Sequence, residues 1–431
     1  MTMTLKKFKQ SLLYSTALSA VFAFSAGTVF ATEDADDSEE VEETEEVEET
    51  EESEETESSL SFLMFSDSPL LAIPEEFPDQ FKYDSGINIE YPEDGVKGIF
   101  VTSHSAGGQR METLTDLLNN TELNSMVIDV KDDYGDIVVP LESDNETINK
   151  FTRPVVDPDV LMPHLEENNI YPIARIVVFK DSRLANERPD LSFTNEDGSV
   201  WSNRRGESFV NPYMQEVWEY NVEVAIEAAK MGFKDIQFDY VRYPEGFETR
   251  DEVLTYSRGE YGESGETNTR QRVDAVTDFV AYAREQLKPY DVDVSVDIFG
   301  YAATMEETPG IGQNFSRISE NVDVISSMIY PSHWGPGTLG IAKPDLEPYN
   351  VVYNYMEYEN DVLDALGEDA PISRPWLQDF TASYLGAGNY ITYGAAEVEA
   401  QIRALNEQGV NEFLLWNAGN RYSEGAQYSF D

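Results

Sequence analysis

Residues 235–244 read DIQFDYVRYP, and this stretch decides the fold. Its apolar and polar residues alternate, which predicts a β-strand with two different faces, and Pro244 ends the pattern. One face carries Gln237 and Asp239, although the interior of a packed barrel usually takes branched apolar side chains. The preceding residues, 212–231, have the periodicity of an amphipathic helix, with a proline first and a glycine just past the end. A helix that leads into a strand with an inward-facing acid is typical of a barrel of alternating strands and helices.

The chain around this stretch repeats the same pattern. From residue 96 onward, apolar strands alternate with helical stretches at the spacing of parallel βα units. Eight strands are predicted, at 97–104, 125–131, 173–179, 235–240, 293–299, 324–330, 372–380 and 412–417. Seven helices are predicted between them, at 112–119, 158–168, 212–231, 272–287, 314–320, 353–366 and 397–408. The sequence therefore predicts a (β/α)8 TIM barrel over residues 96–431. A doubly wound open sheet is the alternative fold.

The composition limits the classes of partner. The 431 residues include 83 Asp and Glu against 29 Lys and Arg, a formal charge of −54. This charge argues against nucleic acid and anionic membrane surfaces as partners. It suits a protein that stays soluble at high salt or high pH. There is no cysteine, so no disulfide and no thiolate chemistry are available.

The first 95 residues differ from the rest of the chain. Residues 1–31 combine three lysines, an apolar run and a small-residue cleavage motif, which predicts a signal peptide; an uncleaved membrane anchor is the alternative. Residues 32–59 are rich in Glu, Asp, Ser and Thr and contain no basic residue, which predicts a disordered acidic linker. Residues 60–95 form a transitional N-terminal segment. We expect a secreted or cell-surface protein with no stable membrane insertion after signal cleavage.

Polar side chains recur where the predicted strands end. In the fifth strand, Ser295 and Asp297 share the inward parity that Gln237 and Asp239 have in the fourth. The C-terminal ends of barrel strands meet at one face, where the active sites of such enzymes lie. Further polar and aromatic residues occupy inward or strand-end positions: His104, Asp129, Lys131, Arg175, Tyr330, His333, Trp376, Gln378, Trp416 and Asn417. We predict that these residues, with Gln237 and Arg242, bind the substrate.

Carboxylates and aromatic rings on one rim suit a carbohydrate, because acids bind sugar hydroxyls and aromatic rings stack on sugar faces. Glycosidic hydrolysis uses two carboxyl groups, about 5–5.5 Å apart in retaining enzymes and about 6.5–9.5 Å apart in inverting ones. We predict Asp239 as the nucleophile or transition-state carboxylate and Asp297 as the acid/base, with Asp379 as the competitor of Asp297. Arg242 or Arg175 would keep one acid ionised, and burial would raise the pKa of the other. The roles within the pair stay open, and a structural salt bridge to either arginine is the alternative for Asp239.

Other chemistries fit less well. The three histidines form no His-Glu-x-x-His motif and no Gly-x-Ser-x-Gly elbow is present, which disfavours a zinc hydrolase and a serine esterase. The glycines after the first strand lack the Gly-Lys-Ser/Thr ending of a phosphate loop. We predict no cofactor and no catalytic metal. A structural cation on the acidic surface and the oligomeric state stay open.

Three blocks of sequence resemble a known family. Residues 96–107, 127–135 and 233–244 together look like the bacterial putative glycoside hydrolase domain, an uncharacterised family grouped with the α-amylase-like TIM barrels. The resemblance covers about residues 96–422. It implies a (β/α)8 barrel and action on glycosidic bonds, but no particular substrate.

The same resemblance implies roles for individual residues. By position, Asp239 matches the nucleophile of α-amylase-type enzymes, and Asp379 matches their stabilising aspartate. The fifth strand holds Asp297 where that pattern has glutamate, and Gln237 stands where it has arginine.

Two functions are consistent with these patterns. The first is a secreted glycoside hydrolase that cleaves a polysaccharide with two carboxylates. The second is a non-catalytic barrel that binds polysaccharide at the cell surface, with Trp376 and Trp416 carrying the binding. No motif specifies the glycan, the linkage or the stereochemical course.

Overall fold

The computed structural model describes residues 81–141 and 143–430. The signal peptide and the acidic linker predicted for residues 1–59 lie outside these residues, as does most of the 60–95 segment. Within the described residues, no helix is both long and apolar enough to cross a membrane.

A closed parallel sheet forms the centre of the described part of the chain. Its strands are β1 (Lys97–Val101), β2 (Ser125–Lys131), β3 (Tyr171–Val177), β4 (Asp235–Asp239), β5 (Asp293–Phe299), β6 (Val324–Met328), β7 (Ile372–Ser373), β8 (Trp376–Gln378) and β9 (Phe413–Trp416). The strand order is β5-β4-β3-β2-β1-β9-β8-β6-β7, and pairing of β5 with β6 closes the sheet. Both β7 and β8 pair with β6, so these two short strands occupy a single position in the barrel. The predicted eight-position (β/α)8 barrel is confirmed.

The seventh barrel position is interrupted for a local reason. Pro375 lies between β7 and β8, and proline has no N–H to donate to a neighbouring strand. The first strand also ends earlier than predicted, at Val101. The side chain of Thr102 accepts a hydrogen bond from the backbone N–H of Ser105 and caps a short helix there.

Helices connect the strands. They are α1 (Ser103–Ala106), α2 (Arg110–Asn119), α3 (Glu146–Phe151), α4 (Pro158–Glu167), α5 (Ser182–Glu187), α6 (Gln215–Met231), α7 (Asn268–Leu287), α8 (Phe315–Ser319), α9 (Pro348–Leu366) and α10 (Ala395–Glu407). The short helices α1, α3 and α5 were not predicted, and the other helices match the predicted ones apart from their ends. Helix α6 ends at Gly232, whose φ of 109° lies in the left-handed region that favours glycine.

The strand that decides the fold has the two faces that its sequence predicts. Ile236 and Phe238 are fully buried on the outer side, where the ring of Phe238 lies 5.4 Å from that of Phe279 in α7. Gln237 faces the barrel interior, because its amide donates to the hydroxyl of Ser326 in β6, on the far side of β5. The alternation of the strand therefore delivers polar groups to the inside of the barrel.

The N-terminal end of the barrel holds a separate buried ion-pair group. Arg374 contacts Asp235 at 2.7 Å and Glu412 at 2.7 Å. Tyr91, from the segment before β1, donates to Glu412 at 2.6 Å and accepts from Arg374 at 2.9 Å. The described part of the transitional segment, 81–95, thus packs against the end of the barrel opposite the predicted site.

Candidate active site

Two aspartates lie side by side at the C-terminal end of the barrel. The register of β4 and β5 pairs Phe238 with Val296, so the next residues along the two strands, Asp239 and Asp297, are neighbours. Adjacent strands are about 4.8 Å apart. Asp239 is 6% exposed and Asp297 is 3% exposed. The site therefore contains two nearly buried carboxyl groups at a spacing where they can act together.

Arg175 of β3 binds the first of these acids. Its Nε and Nη2 both donate to Oδ2 of Asp239, at 2.9 Å and 2.6 Å. Burial opposes the charge of Arg175, but the carboxylates around it raise its pKa well above the ordinary value. Arg175 is therefore a permanent cation, and its two N–H groups form charge-assisted hydrogen bonds to one carboxylate oxygen.

The second acid, Asp297, lies in an environment that disfavours its charged form. Burial raises the pKa of Asp297 well above its ordinary value, and the negative charge of Asp239 raises it further. The indole Nε1 of Trp376 donates to Oδ1 of Asp297 at 2.6 Å and fixes the carboxyl group. The two neighbouring acids thus differ in their partners: Asp239 contacts a cation, whereas Asp297 contacts a neutral indole N–H.

A third aspartate shares the same arginine. Nη1 of Arg175 donates to Oδ1 of Asp129 at 2.7 Å. Burial raises the pKa of Asp129 to about 6, against the opposing effect of Arg175. The arginine thus links the ends of β2 and β4 through Asp129 and Asp239.

Aromatic rings surround this arginine. Its guanidinium carbon lies 5.5 Å from the ring centre of Phe100 and 5.6 Å from that of Trp416. These two rings stack on each other at 4.2 Å, and Trp416 also meets Trp376 edge to face at 5.5 Å. Trp376 is only 1% exposed and Trp416 is half-buried, so Trp416 is the one of the two indoles that keeps accessible surface.

The structure adds residues that the sequence analysis missed. Lys180 contacts Asp133 at 2.8 Å, and its Nζ lies 4.0 Å from the ring centre of Tyr240. Tyr240 directly follows Asp239 in a left-handed conformation, φ 53°, and its backbone N–H donates to Oδ1 of that aspartate at 2.6 Å. Lys180 and Asp133 lie two or three residues past the ends of their strands, so the alternation of the strands gave no signal for them.

Arg242, the other arginine considered as a partner of Asp239, packs against two aromatic rings. Its guanidinium carbon lies 4.7 Å from the ring centre of Tyr240 and 4.6 Å from that of Phe299. Its polar contacts are with the carbonyl of Tyr243 and with Glu245. Of the two arginines considered for Asp239, Arg175 is the one that contacts it.

The segment after β6 adds Tyr330 and His333. Their rings lie 5.1 Å apart, and burial lowers the pKa of His333. Burial raises the pKa of Tyr330 well above its ordinary value, with further contributions from Asp297 and Asp239. Tyr330 is therefore within electrostatic reach of both site carboxyls.

Asp379, the competitor of Asp297, has partners of its own. Its carboxylate accepts from the backbone N–H of Ser423 at 2.8 Å and from the hydroxyl of Ser423 at 2.6 Å. Burial raises its pKa, against the effect of the Ser423 hydrogen bonds. The side chain of Asn417 donates to the backbone carbonyl of Asp379 at 2.6 Å. These contacts tie the loop after β9 to the end of β8.

Lys131 also lies apart from the paired carboxyls. The β2–β3 register shifts between Asp129 and Lys131, so these two residues do not share a face. Lys131 is fully buried in an ion pair with Asp181 at 2.7 Å and donates to Asn221 of α6 at 3.0 Å. Its position supports the packing of α6.

The remaining predicted residues occupy other parts of the C-terminal half of the barrel. Gln237 is fully buried below the carboxyls. The side chain of Gln378 donates to Asp345 at 2.9 Å and accepts from the backbone N–H of Ser332 at 3.0 Å. His104 is exposed on α1. In the described residues, no group of three or more His, Cys, Asp or Glu side chains is arranged to hold a metal ion.

The comparisons with known proteins identify the family of the chain. Residues 98–422 match the family described as "Putative glycosyl hydrolase domain". The chain belongs to this family. A glycosyl hydrolase domain acts on carbohydrate, so a carbohydrate is the expected class of substrate. No curated protein is similar enough in sequence to match the chain.

Solved structures resemble this glycosyl hydrolase domain. A hypothetical protein from Ruminiclostridium thermocellum ATCC 27405 is 30% identical, with 46% of this chain and 96% of that chain covered and a TM-score of 0.40. The PgaB (BpsB) glycoside hydrolase domain from Bordetella bronchiseptica is 12% identical, with 75% and 94% covered and a TM-score of 0.51. A β-galactosidase from the psychrophilic Marinomonas ef1 is 12% identical, with 75% and 54% covered and a TM-score of 0.50. At such low identity, the last two likenesses support the fold alone.

Proposed function

We propose that the protein is a glycoside hydrolase that cleaves glycosidic bonds of a polysaccharide with Asp239 and Asp297. The observation that carries the proposal is the contrast between these neighbouring acids. Asp239 accepts two hydrogen bonds from the cation Arg175, whereas burial and the charge of Asp239 raise the pKa of Asp297. One carboxylate and one carboxylic acid on adjacent strands form the pair that glycosidic hydrolysis uses.

For this pair of acids we propose the retaining course. In the first step, Asp239 forms a bond to the anomeric carbon while the bond to the leaving sugar oxygen breaks, and Asp297 gives its proton to that oxygen. In the second step, Asp297 takes a proton from water, and the water oxygen displaces Asp239 from the anomeric carbon. Carboxyls about 5–5.5 Å apart support this double displacement, whereas inversion needs room for a water molecule between them.

The surroundings of the pair support a carbohydrate substrate. Trp376 holds Asp297 by its indole N–H and meets Trp416 edge to face. Trp416 is half-buried, so part of its indole remains accessible at the rim. Family membership supports the same class of reaction. We also propose that the protein is exported and acts outside the cell, on the basis of the signal-peptide pattern in residues 1–31.

The first test is the Asp239→Asn variant. The purified protein is incubated with starch, xylan, cellulose, chitosan and peptidoglycan, and new reducing ends are measured. On any glycan that the wild type hydrolyses, we expect D239N to lose turnover because an amide is a poor nucleophile. Its melting temperature should stay close to that of the wild type, since the amide oxygen still accepts from Arg175.

The matched control is Asp379→Asn, which changes the competing acid. Because the Asp379 carboxylate is bound to Ser423, D379N should keep most of its turnover. A folded D239N variant with full turnover would refute the proposal. Saturable glycan binding without released reducing ends would favour the alternative, a binding barrel, and binding should then be lost in the Trp376→Ala or Trp416→Ala variant.

A further inference from the structure

Tyr330 continues the inward side of β6 beyond the end of the strand. Ser326 faces the interior, because it accepts from Gln237, whereas Ser327 points outward to Glu359 of α9. The backbone at Tyr330 has φ −54° and ψ 121°, close to the open conformation of polyproline II and far from a helical one. Alternation along the strand therefore directs the side chain of Tyr330 over the interior, at the end where Asp239 and Asp297 lie.

The neighbouring strand brings Tyr330 close to the acid pair. The backbone N–H of Ile329 donates to the carbonyl of Trp376 at 3.2 Å, and the side chain of Trp376 holds Asp297. The Tyr330 ring packs against the rings of His333 and Phe380, at 5.1 Å and 6.2 Å. These contacts fix the ring at the mouth of the site.

The hydroxyl of Tyr330 is the unusual part of this residue. Tyr330 is only 6% exposed, yet none of the described residues forms a hydrogen bond with its hydroxyl. The hydroxyl is not among the fully buried polar atoms that lack a partner, so its oxygen reaches the open mouth of the site, where water can pair with it. A bound sugar that displaces this water would give the hydroxyl a new partner.

We infer that Tyr330 is a third catalytic residue, whose hydroxyl donates a hydrogen bond to the sugar held between Asp239 and Asp297. This inference rests on the proposed function. The phenol stays protonated, because burial and the two neighbouring carboxyls raise its pKa. It therefore acts as a neutral donor that transfers no proton. A fixed donor stabilises an oxygen most strongly when that oxygen gains charge in the transition state.

The test is the Tyr330→Phe variant on a glycan that the wild type hydrolyses. The change removes only the hydroxyl and keeps the ring packed. We expect kcat to fall about 10²-fold, as on removal of a preorganised donor from other active sites, with KM little changed. The pH dependence of the remaining activity should keep the shape of the wild-type profile, because the phenol does not titrate in the working range.

Tyr355→Phe is the matched control. Tyr355 is fully buried and its hydroxyl also lacks a partner, but it lies on α9, outside the barrel. Y355F should keep wild-type kcat and KM, so that loss of a buried hydroxyl is separated from loss of a catalytic one.

The outcomes separate this inference from the proposed function. If Y330F has the wild-type kcat while D239N is inactive, the inference is wrong and the proposed function stands. If Y330F changes KM alone, the hydroxyl binds substrate without stabilising the transition state, which also overturns the inference. If D239N keeps its turnover, the proposed function fails first and the inference falls with it.

Discussion

The two aspartates of the candidate site, Asp239 and Asp297, differ only in their surroundings. Asp239 and Asp297 end neighbouring strands, but two N–H groups of Arg175 reach only the first. The second has an indole N–H as its partner and a negative charge beside it. In the proposed mechanism, one arginine and burial distinguish the nucleophile from the acid.

This difference predicts a pH dependence. The raised pKa extends the protonated form of Asp297 to higher pH, so the form that can protonate a leaving group is present below that pKa and is lost as the pH rises through it. We expect kcat/KM on a polysaccharide to fall on the alkaline side. In Asp297→Asn, turnover of the polysaccharide should fall about 10²–10⁴-fold at pH values below that pKa, and the alkaline fall of the wild-type profile should disappear.

Activated substrates provide the check on Asp297. 2,4-Dinitrophenyl glycosides have a leaving group that needs no protonation, so D297N should still release dinitrophenol from them in a rapid first phase, whereas D239N should not. If D297N loses this phase as well, Asp297 is not the general acid. The readout is absorbance of released dinitrophenolate under stopped flow.

At the scale of elements, strands bring the acids together and an added segment closes the other end of the barrel. Tyr91 lies in the described part of the 81–95 segment and bonds to both Glu412 and Arg374. Arg374 is fully buried with Asp235. The segment thus completes the hydrogen bonding of an ion-pair group that the strands alone leave open.

Tyr91→Phe tests this element. The change should lower the free energy of unfolding by about 1–2 kcal/mol, because Glu412 and Arg374 each lose a hydrogen bond. The measurement is urea unfolding, where the midpoint should fall while the m-value stays constant. Tyr83→Phe is the control, since the ring of Tyr83 packs on Tyr290 and is 45% exposed. Equal midpoints for Y91F and the wild type would show that the segment adds no stability.

At the scale of the whole molecule, charge opposes compactness. The chain carries a formal charge of −54, and like charges on a folded protein repel one another. Its buried ion pairs, such as that of Lys131 with Asp181, are shielded from salt by their position, with both side chains 0% exposed.

Salt should therefore stabilise the protein. Raising NaCl from about 0.1 M to about 1 M shortens the screening length from about 10 Å to about 3 Å. We expect the melting temperature, measured by calorimetry, to rise over this range. Potassium chloride should give the same rise, because screening does not depend on the cation. A melting temperature that falls with salt would show that surface ion pairs outweigh the general repulsion.

The sequence by itself determined the strands of the barrel, the inward parity of Asp239 and Asp297, and the family. These properties follow from a side-chain period of two residues, which is local and readable in one strand at a time. Only the tertiary structure decided which charges meet. The structure shows that Arg175, and not Arg242, is the partner of Asp239. It also shows that a register shift in β2 places Lys131 away from the site. Such pairings depend on register and on loops distant in sequence, as the contact of Asp379 with Ser423 illustrates, and no single strand encodes them.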